Sequence, residues 1–194
     1  MIWLLPGMDA TGLLWGPLLE ALGEREVRAF AYPADIVTYR QVLEHVGLPD
    51  DGTVLVAESF SSPAAVAIAR AHPERVRALV IVAGFLRGPW VPPAAVLRPL
   101  LGIRPPALAV RALMVGWEAP DELVALVQRA VASVPARTLA ARLREAARTD
   151  ARAAFSALRV PVLWVRGARD RLITARATRE ARAPSSCRWR ARAR

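Results

Sequence analysis

Short apolar blocks alternate with helically spaced ones along most of this chain. Ile2-Trp3-Leu4-Leu5 stops at Pro6-Gly7, which predicts a short buried strand. A turn-rich stretch from Met8 to Gly12 leads to leucines spaced for a helix over about 13–22. Residues 26–32 alternate with period two and end at Pro33, the pattern of a more exposed strand. A helix is predicted near 39–46 and a turn over 47–52. Thr53-Val54-Leu55-Val56-Ala57 is the clearest strand, and it runs directly into Glu58-Ser59-Phe60-Ser61-Ser62. Pro63 then opens a small-residue helix to Ala71, with Ser61 or Ser62 available as its cap. Residues 76–82 and 160–166 predict two further buried strands.

Strands separated by helices imply an α/β fold, a doubly wound parallel sheet covered on both faces. The common order for five such strands, 2-1-3-4-5, places the first and third side by side. The loops leaving those two strands, 8–12 and 58–62, then open onto one crevice at the strands' carboxyl ends, where such folds place ligands. Residues 87–155 break the alternation. They are proline-rich to Pro106 and then carry two helical patterns, one through Leu123, Leu126, Val127, Ala130 and Val131, the other through Leu139, Leu143 and Ala146. One domain is expected over 1–182, with a helical insertion at about 87–155 and an irregular tail at 183–194.

Charge sharpens the view of that tail. The net charge is +10, and every basic residue is an arginine. Residues 1–150 hold fifteen arginines against fifteen acids, whereas 151–194 hold twelve against Asp170 and Glu180 alone. The body is neutral, so the whole-chain charge does not describe a nucleic-acid-binding surface. A basic arm for nucleic acid or anionic lipid is the functional reading of the tail. The preferred one is a frameshifted or truncated remnant: Ala, Arg and Pro strings are what GC-rich DNA yields out of frame, and the lack of lysine fits such a genome. No apolar run approaches the ~18 residues of a membrane span, no basic leader precedes the first strand, and Cys187 is the single cysteine. A cytoplasmic protein without disulfides, metal or organic cofactor is expected.

The chemistry concentrates at Ser59. A serine on a tight strand-to-helix turn has its hydroxyl pushed into the crevice, with the free N–H groups of the next helix aimed at the same point. The usual pentapeptide is G-x-S-x-G; here Ala57-Glu58-Ser59-Phe60-Ser61 replaces both glycines by small residues. Together with Pro6-Gly7-Met8-Asp9 after the first strand and Gly167-Ala168-Arg169-Asp170 after the last, the chain resembles the α/β-hydrolase superfamily over residues 1–180, specifically its small bacterial esterase-like members. The resemblance implies Ser59 as nucleophile, Asp170 as triad acid, and the backbone N–H groups of Met8 and Phe60 as the oxyanion hole. It makes residues 87–155 a cap over the pocket, with Met114, Trp90 or Trp117 as lining. Beside these stand plainer roles. Ser59 could merely end a strand, Met8 and Phe60 could simply pack, and Asp170 could cap a following helix. Glu58 reads as a polar anchor for the elbow and Asp9 as a turn residue.

A triad also needs a base, and the superfamily order is serine, acid, histidine. No histidine follows Asp170. His45 and His72 both precede it, near the ends of crossover helices, which places them at the sheet edge opposite Ser59; both are expected to be structural. Counting one helix, one strand and two loops beyond the acid puts the expected base roughly 25–30 residues on, near or past the last residue. The stretch 183–194 reads as lacking strand alternation, which leaves the final strand missing. The expectation is therefore a carboxylesterase-like serine hydrolase by ancestry, impaired in turnover and acting on a small-molecule ester or acyl substrate. The alternative is a non-catalytic ligand- or partner-binding module.

Overall fold

A computed structural model describes residues 1–88, 104–167, 170, 171 and 173, and the backbone of 188–193. The strands are β1 (Ile2–Leu5), β2 (Val27–Ala29), β3 (Thr53–Glu58), β4 (Val76–Val82), β5 (Val162–Gly167) and β6 (Arg188–Ala193). They form one sheet in the order β2-β1-β3-β4-β5-β6, and every described pairing is parallel. The first five strands have the expected 2-1-3-4-5 order.

The sixth strand corrects the sequence reading. The final strand is not missing: β6 pairs with β5 from Val162↔Arg188 to Gly167↔Ala193, so β5 is not left as a bare edge. Arg188-Trp189-Arg190-Ala191-Arg192-Ala193 does in fact alternate, with arginine at every second position. An edge strand needs only a backbone ladder on one side, and basic residues there discourage pairing with other chains.

The outer strand on the other side is shorter than its sequence pattern. β2 can pair only with four-residue β1, which ends at Pro6. Beyond Ala29 the chain is taken over by the loop, with the Tyr32 N–H donating to the Ala10 carbonyl. The predicted helix at 13–22 divides into a 3-10 turn, Leu13–Trp15, and helix α1, Gly16–Leu22, with Pro17 in the first turn where its missing N–H costs nothing.

Helices α2 (Tyr39–Val46) and α3 (Ser62–Ala71) occupy the expected crossovers. A capping box starts α2: the Thr38 hydroxyl accepts from the Gln41 N–H, and the Gln41 side chain accepts from the Thr38 N–H. Both faces of the sheet are covered. Trp3, Leu5, Leu55, Ala57, Leu79 and Ile81 join the main core, which includes Val42 and Val46 of α2 and Ala65 and Ile68 of α3. Alternate residues Leu4 and Val56 form the opposite cluster with Trp15 and Leu18.

Between β4 and β5 the chain makes a helical excursion. Its described helices are α4 (Ala107–Val110), continued by a π-helical turn at Arg111–Val115, then α5 (Asp121–Ala132), α6 (Ala136–Arg148) and α7 (Arg152–Ser156). The ends of the excursion meet: Arg87 and Asp150 form an antiparallel bridge, and the Ala151 N–H donates to the Leu86 carbonyl at 2.7 Å. Val110, Val124 and Val127 give it a small core of its own.

Candidate active site

The site is built where β1 and β3 end side by side, with Leu5 in register with Ala57. At the end of β3 the backbone turns sharply. Ser59 has φ +43 in the left-handed region, opening the 3-10 turn Ser59–Ser61 that runs into α3. For a non-glycine residue that conformation costs about 1–2 kcal/mol, and such strain persists only where its surroundings enforce it. Gly84, just beyond β4, packs closely against the start of α3. A Cβ there would fall on the Ser62 hydroxyl and the Ile81 side chain, closer than carbon contacts come. Ser62 Oγ is itself buried and has no hydrogen-bond partner among the described residues.

Loop 6–10 lies against this elbow, and its main chain is held group by group. The Ser61 hydroxyl donates to the Pro6 carbonyl at 2.5 Å and also pairs with the Tyr32 hydroxyl at 2.8 Å. The Glu58 carboxylate accepts from the Gly7 N–H, and the Gly7 carbonyl accepts from the Ala10 N–H at 3.1 Å. Arg142 of α6 donates to the Met8 and Asp9 carbonyls, each at 3.1 Å. The Phe60 N–H lies in the first turn of a helical segment, where no intrahelical acceptor exists. Phe60 is fully buried and stacks on Tyr39 with 5.0 Å between centroids. Met8 is half-buried against the main core.

The acids take distinct places. Asp9 is buried and accepts from the N–H and hydroxyl of Thr11, at 2.9 and 2.5 Å, which is the expected turn role. Glu58 is anchored at the elbow, also as expected. Burial pushes its carboxyl up to about 7; the neighbouring Asp9 adds to the rise and the Gly7 N–H opposes it. Asp170 stands just past β5, two strands from Ser59, and its Oδ1 accepts from the Ile173 N–H at 2.9 Å. It thus stands on the carboxyl side of the sheet, and the segment that would carry a helix capped by it lies outside the described residues.

The histidines divide. His72 terminates α3 immediately before β4, at the amino edge of the sheet as expected, with Glu74 3.6 Å from its Nδ1. His45 requires a correction. Its Nε2 lies 3.1 Å from the carbonyl of Ala31, two residues beyond the end of β2, so it sits beside the sheet's carboxyl side and not at the far edge. Its ring packs edge-on against Phe30 and Tyr32, and Tyr32 is the residue that reaches the elbow, through Ser61. Among the described residues neither histidine hydrogen-bonds to Ser59.

Met114 and Trp117 are exposed on the excursion, and Trp90 lies outside the described residues. Among the described residues no three His, Cys, Asp or Glu side chains come together as metal ligands, and no single helix is long and apolar enough to cross a membrane. A cavity of about 430 Å³ bordered by Arg70, Glu74 and Arg159 lies by the ends of α3 and α7, away from the elbow.

Arg142 is the residue that sequence reasoning missed. One signal was available: it falls three residues after Leu139 and four before Ala146, on the apolar stripe of its helix.

No protein-family model matches the chain, and no curated protein matches it in sequence. Its fold does match solved structures. The enol-lactonase of Burkholderia xenovorans LB400 superposes with a TM-score of 0.75 at 18% identity, over 93% of this chain and 77% of that one. A hydrolase from Oleispira antarctica gives 0.76 at 16% identity, over 99% and 82%. An esterase from Exiguobacterium antarcticum gives 0.72 at 13% identity, over 97% and 82%. These neighbours share the α/β-hydrolase fold, which is the fold of this chain.

Proposed function

We propose that this chain derives from serine hydrolases and binds a small-molecule ester or related acyl group at Ser59. The observation that carries the reading is the Ser59 backbone, a non-glycine residue at φ +43 on a strand-to-helix turn. Strain of that kind is retained where it aims a side chain. Hydrolase activity in the structural neighbours supports the same class.

In the proposed chemistry, Ser59 Oγ attacks the acyl carbon and its proton passes to a base. The Met8 and Phe60 N–H groups stabilise the oxyanion, and collapse expels the alcohol. Water then releases the acyl group by the reverse sequence of proton transfers. Asp170 is the acid assigned to orient the base, and the insertion at about 87–155 is the cap. Among the described residues neither histidine hydrogen-bonds to Ser59, and general-base assistance is typically worth ~10²–10⁴ in rate. We therefore expect slow turnover with the acyl-binding geometry retained.

The histidine placement also favours a second reading, a ligand- or partner-binding module without catalysis. A fluorophosphonate probe separates the two. Labelling lost in Ser59→Ala supports the nucleophile, whereas a folded protein that is never labelled supports the binding module. An ordinary enzymatic rate on a simple aryl ester would overturn the expectation of impaired turnover.

A further inference from the structure

Arg142 is an unusual group to find where it is. Its side chain is almost wholly buried, at 1% exposure, and among the described residues it bonds to no carboxylate. Instead it donates to five main-chain carbonyls: Nε to Ile36 at 3.0 Å, one terminal nitrogen to Met8 and Asp9 at 3.1 Å each, and the other to Tyr32 at 3.4 Å and Pro33 at 3.0 Å. A guanidinium has five N–H donors in a rigid plane, so the whole group is spent on fixing backbone. The two segments it holds are the loop after β1 and the loop after β2, and it arrives from a third element, helix α6.

The contact is directional. With the Met8 and Asp9 carbonyls turned toward Arg142, the Gly7 N–H committed to Glu58 and the Gly7 carbonyl to Ala10, the peptide planes on either side of Met8 are set. The Met8 N–H, the donor assigned to the oxyanion, has no acceptor among the described residues. α6 is further docked to the same region: Thr138 donates to the Ala34 carbonyl at 3.0 Å, and Glu145 accepts from the Tyr39 N–H at 2.9 Å.

We propose that Arg142 is a positioning residue that presets the Met8 N–H for an oxyanion, making the hole depend on the docking of α6. The inference rests on the reading of Ser59 as nucleophile. Lysine cannot replace it, because a single ammonium lacks the planar fork that spans two loops. Loosening the excursion elsewhere should matter far less, since its core at Val110, Val124 and Val127 is separate from the Arg142 contacts.

The test uses phenylboronic acid. Its boron accepts the serine oxygen, the serine proton passes to water, and the anionic tetrahedral adduct places an oxygen where the oxyanion forms. Affinity is read by boron NMR, and the Met8 and Asp9 amides by nitrogen–proton correlation spectra of the full chain. Arg142→Lys is expected to weaken phenylboronic acid by at least about tenfold and to shift both amides, while Val127→Ala lowers the melting temperature but holds affinity within about twofold. Unmoved amides with unchanged affinity in a folded Arg142→Lys protein would overturn the proposal, as would an equal loss in Val127→Ala. If Arg142→Lys does not fold, the unmodified chain decides. Its Arg142 side-chain N–H signals should exchange slowly and shift on adduct formation, and fast exchange or an absent shift counts against the idea. Absence of any adduct in the unmodified chain refutes the assignment of Ser59 and the oxyanion half of the proposal, while the amide shifts in Arg142→Lys still decide whether Arg142 holds the loop.

Discussion

Replacing Glu58 by glutamine should change how stability depends on pH, with a sign that follows from the site. Glu58 is held near a pKa of about 7 in the folded protein against an ordinary 4.5, chiefly by burial and then by Asp9. Between those two values the unfolded chain has released this proton while the native chain keeps it. Stability from this group is fully present below about pH 4.5 and is lost as pH rises through 7. One pH unit of such mismatch is worth about 1.4 kcal/mol, so the whole interval amounts to about 3 kcal/mol. Glutamine keeps an oxygen to accept the Gly7 N–H and carries no charge. The variant should match the parent near pH 4 and exceed it by about 3 kcal/mol at pH 8.

Urea unfolding of both proteins at pH 4, 5, 6, 7 and 8 measures that difference, because the titrating groups other than the coupled neighbour Asp9 are common to the pair and cancel. Parallel stability curves would refute the reasoning, and so would a glutamine variant that is less stable at pH 8. The cause is separable too. In Asp9→Asn the like-charged neighbour is gone while burial remains, so the loss should still begin near pH 4.5 but be complete at a lower pH and be smaller, though not vanish.

Other expectations follow from single contacts. Gly84→Ala should cost more than about 2 kcal/mol by chemical denaturation, since its methyl has no room beside Ser62 and Ile81; Ser62→Ala, which removes a buried unpartnered hydroxyl, should leave stability unchanged or raise it by about 1 kcal/mol. His45→Ala and His72→Ala should leave fluorophosphonate labelling of Ser59 within about twofold, far short of the ~10²–10⁴ expected for a lost base. Removing residues 188–194 should speed amide hydrogen exchange along β5 while leaving β1 and β3 protected, because only β5 pairs with β6.

Local pattern carried most of the fold. β3 and β4 are apolar blocks closed by turn residues, and α2 and α3 have their caps or first-turn proline written beside them, so each could be read without its neighbours. Structure departs from local pattern where a segment's state depends on what it pairs with. β2 stops early because its partner does, and β6 is a strand because β5 offers it an edge. His45 was placed by the direction of its helix alone, yet the side chain reaches up to Ala31.

The site divides along the same line. The elbow was legible because its strain is local: strand, small residues, serine and helix lie within one stretch of chain. The opposing loop is fixed by partners remote in sequence, with Ser61 reaching Pro6 across 55 positions and Arg142 reaching Met8 across 134. No spacing rule anticipates such a pair. A charged residue on an otherwise apolar helical stripe does, however, pose a physical question, because a buried guanidinium must find acceptors. On α6 the neighbouring Leu143 is only half-buried while Arg142 is enclosed, an inversion of the usual preference. Five carbonyls on two loops explain it. The surroundings of Ser59 are therefore set as much by the excursion between β4 and β5 as by the sheet that carries the serine.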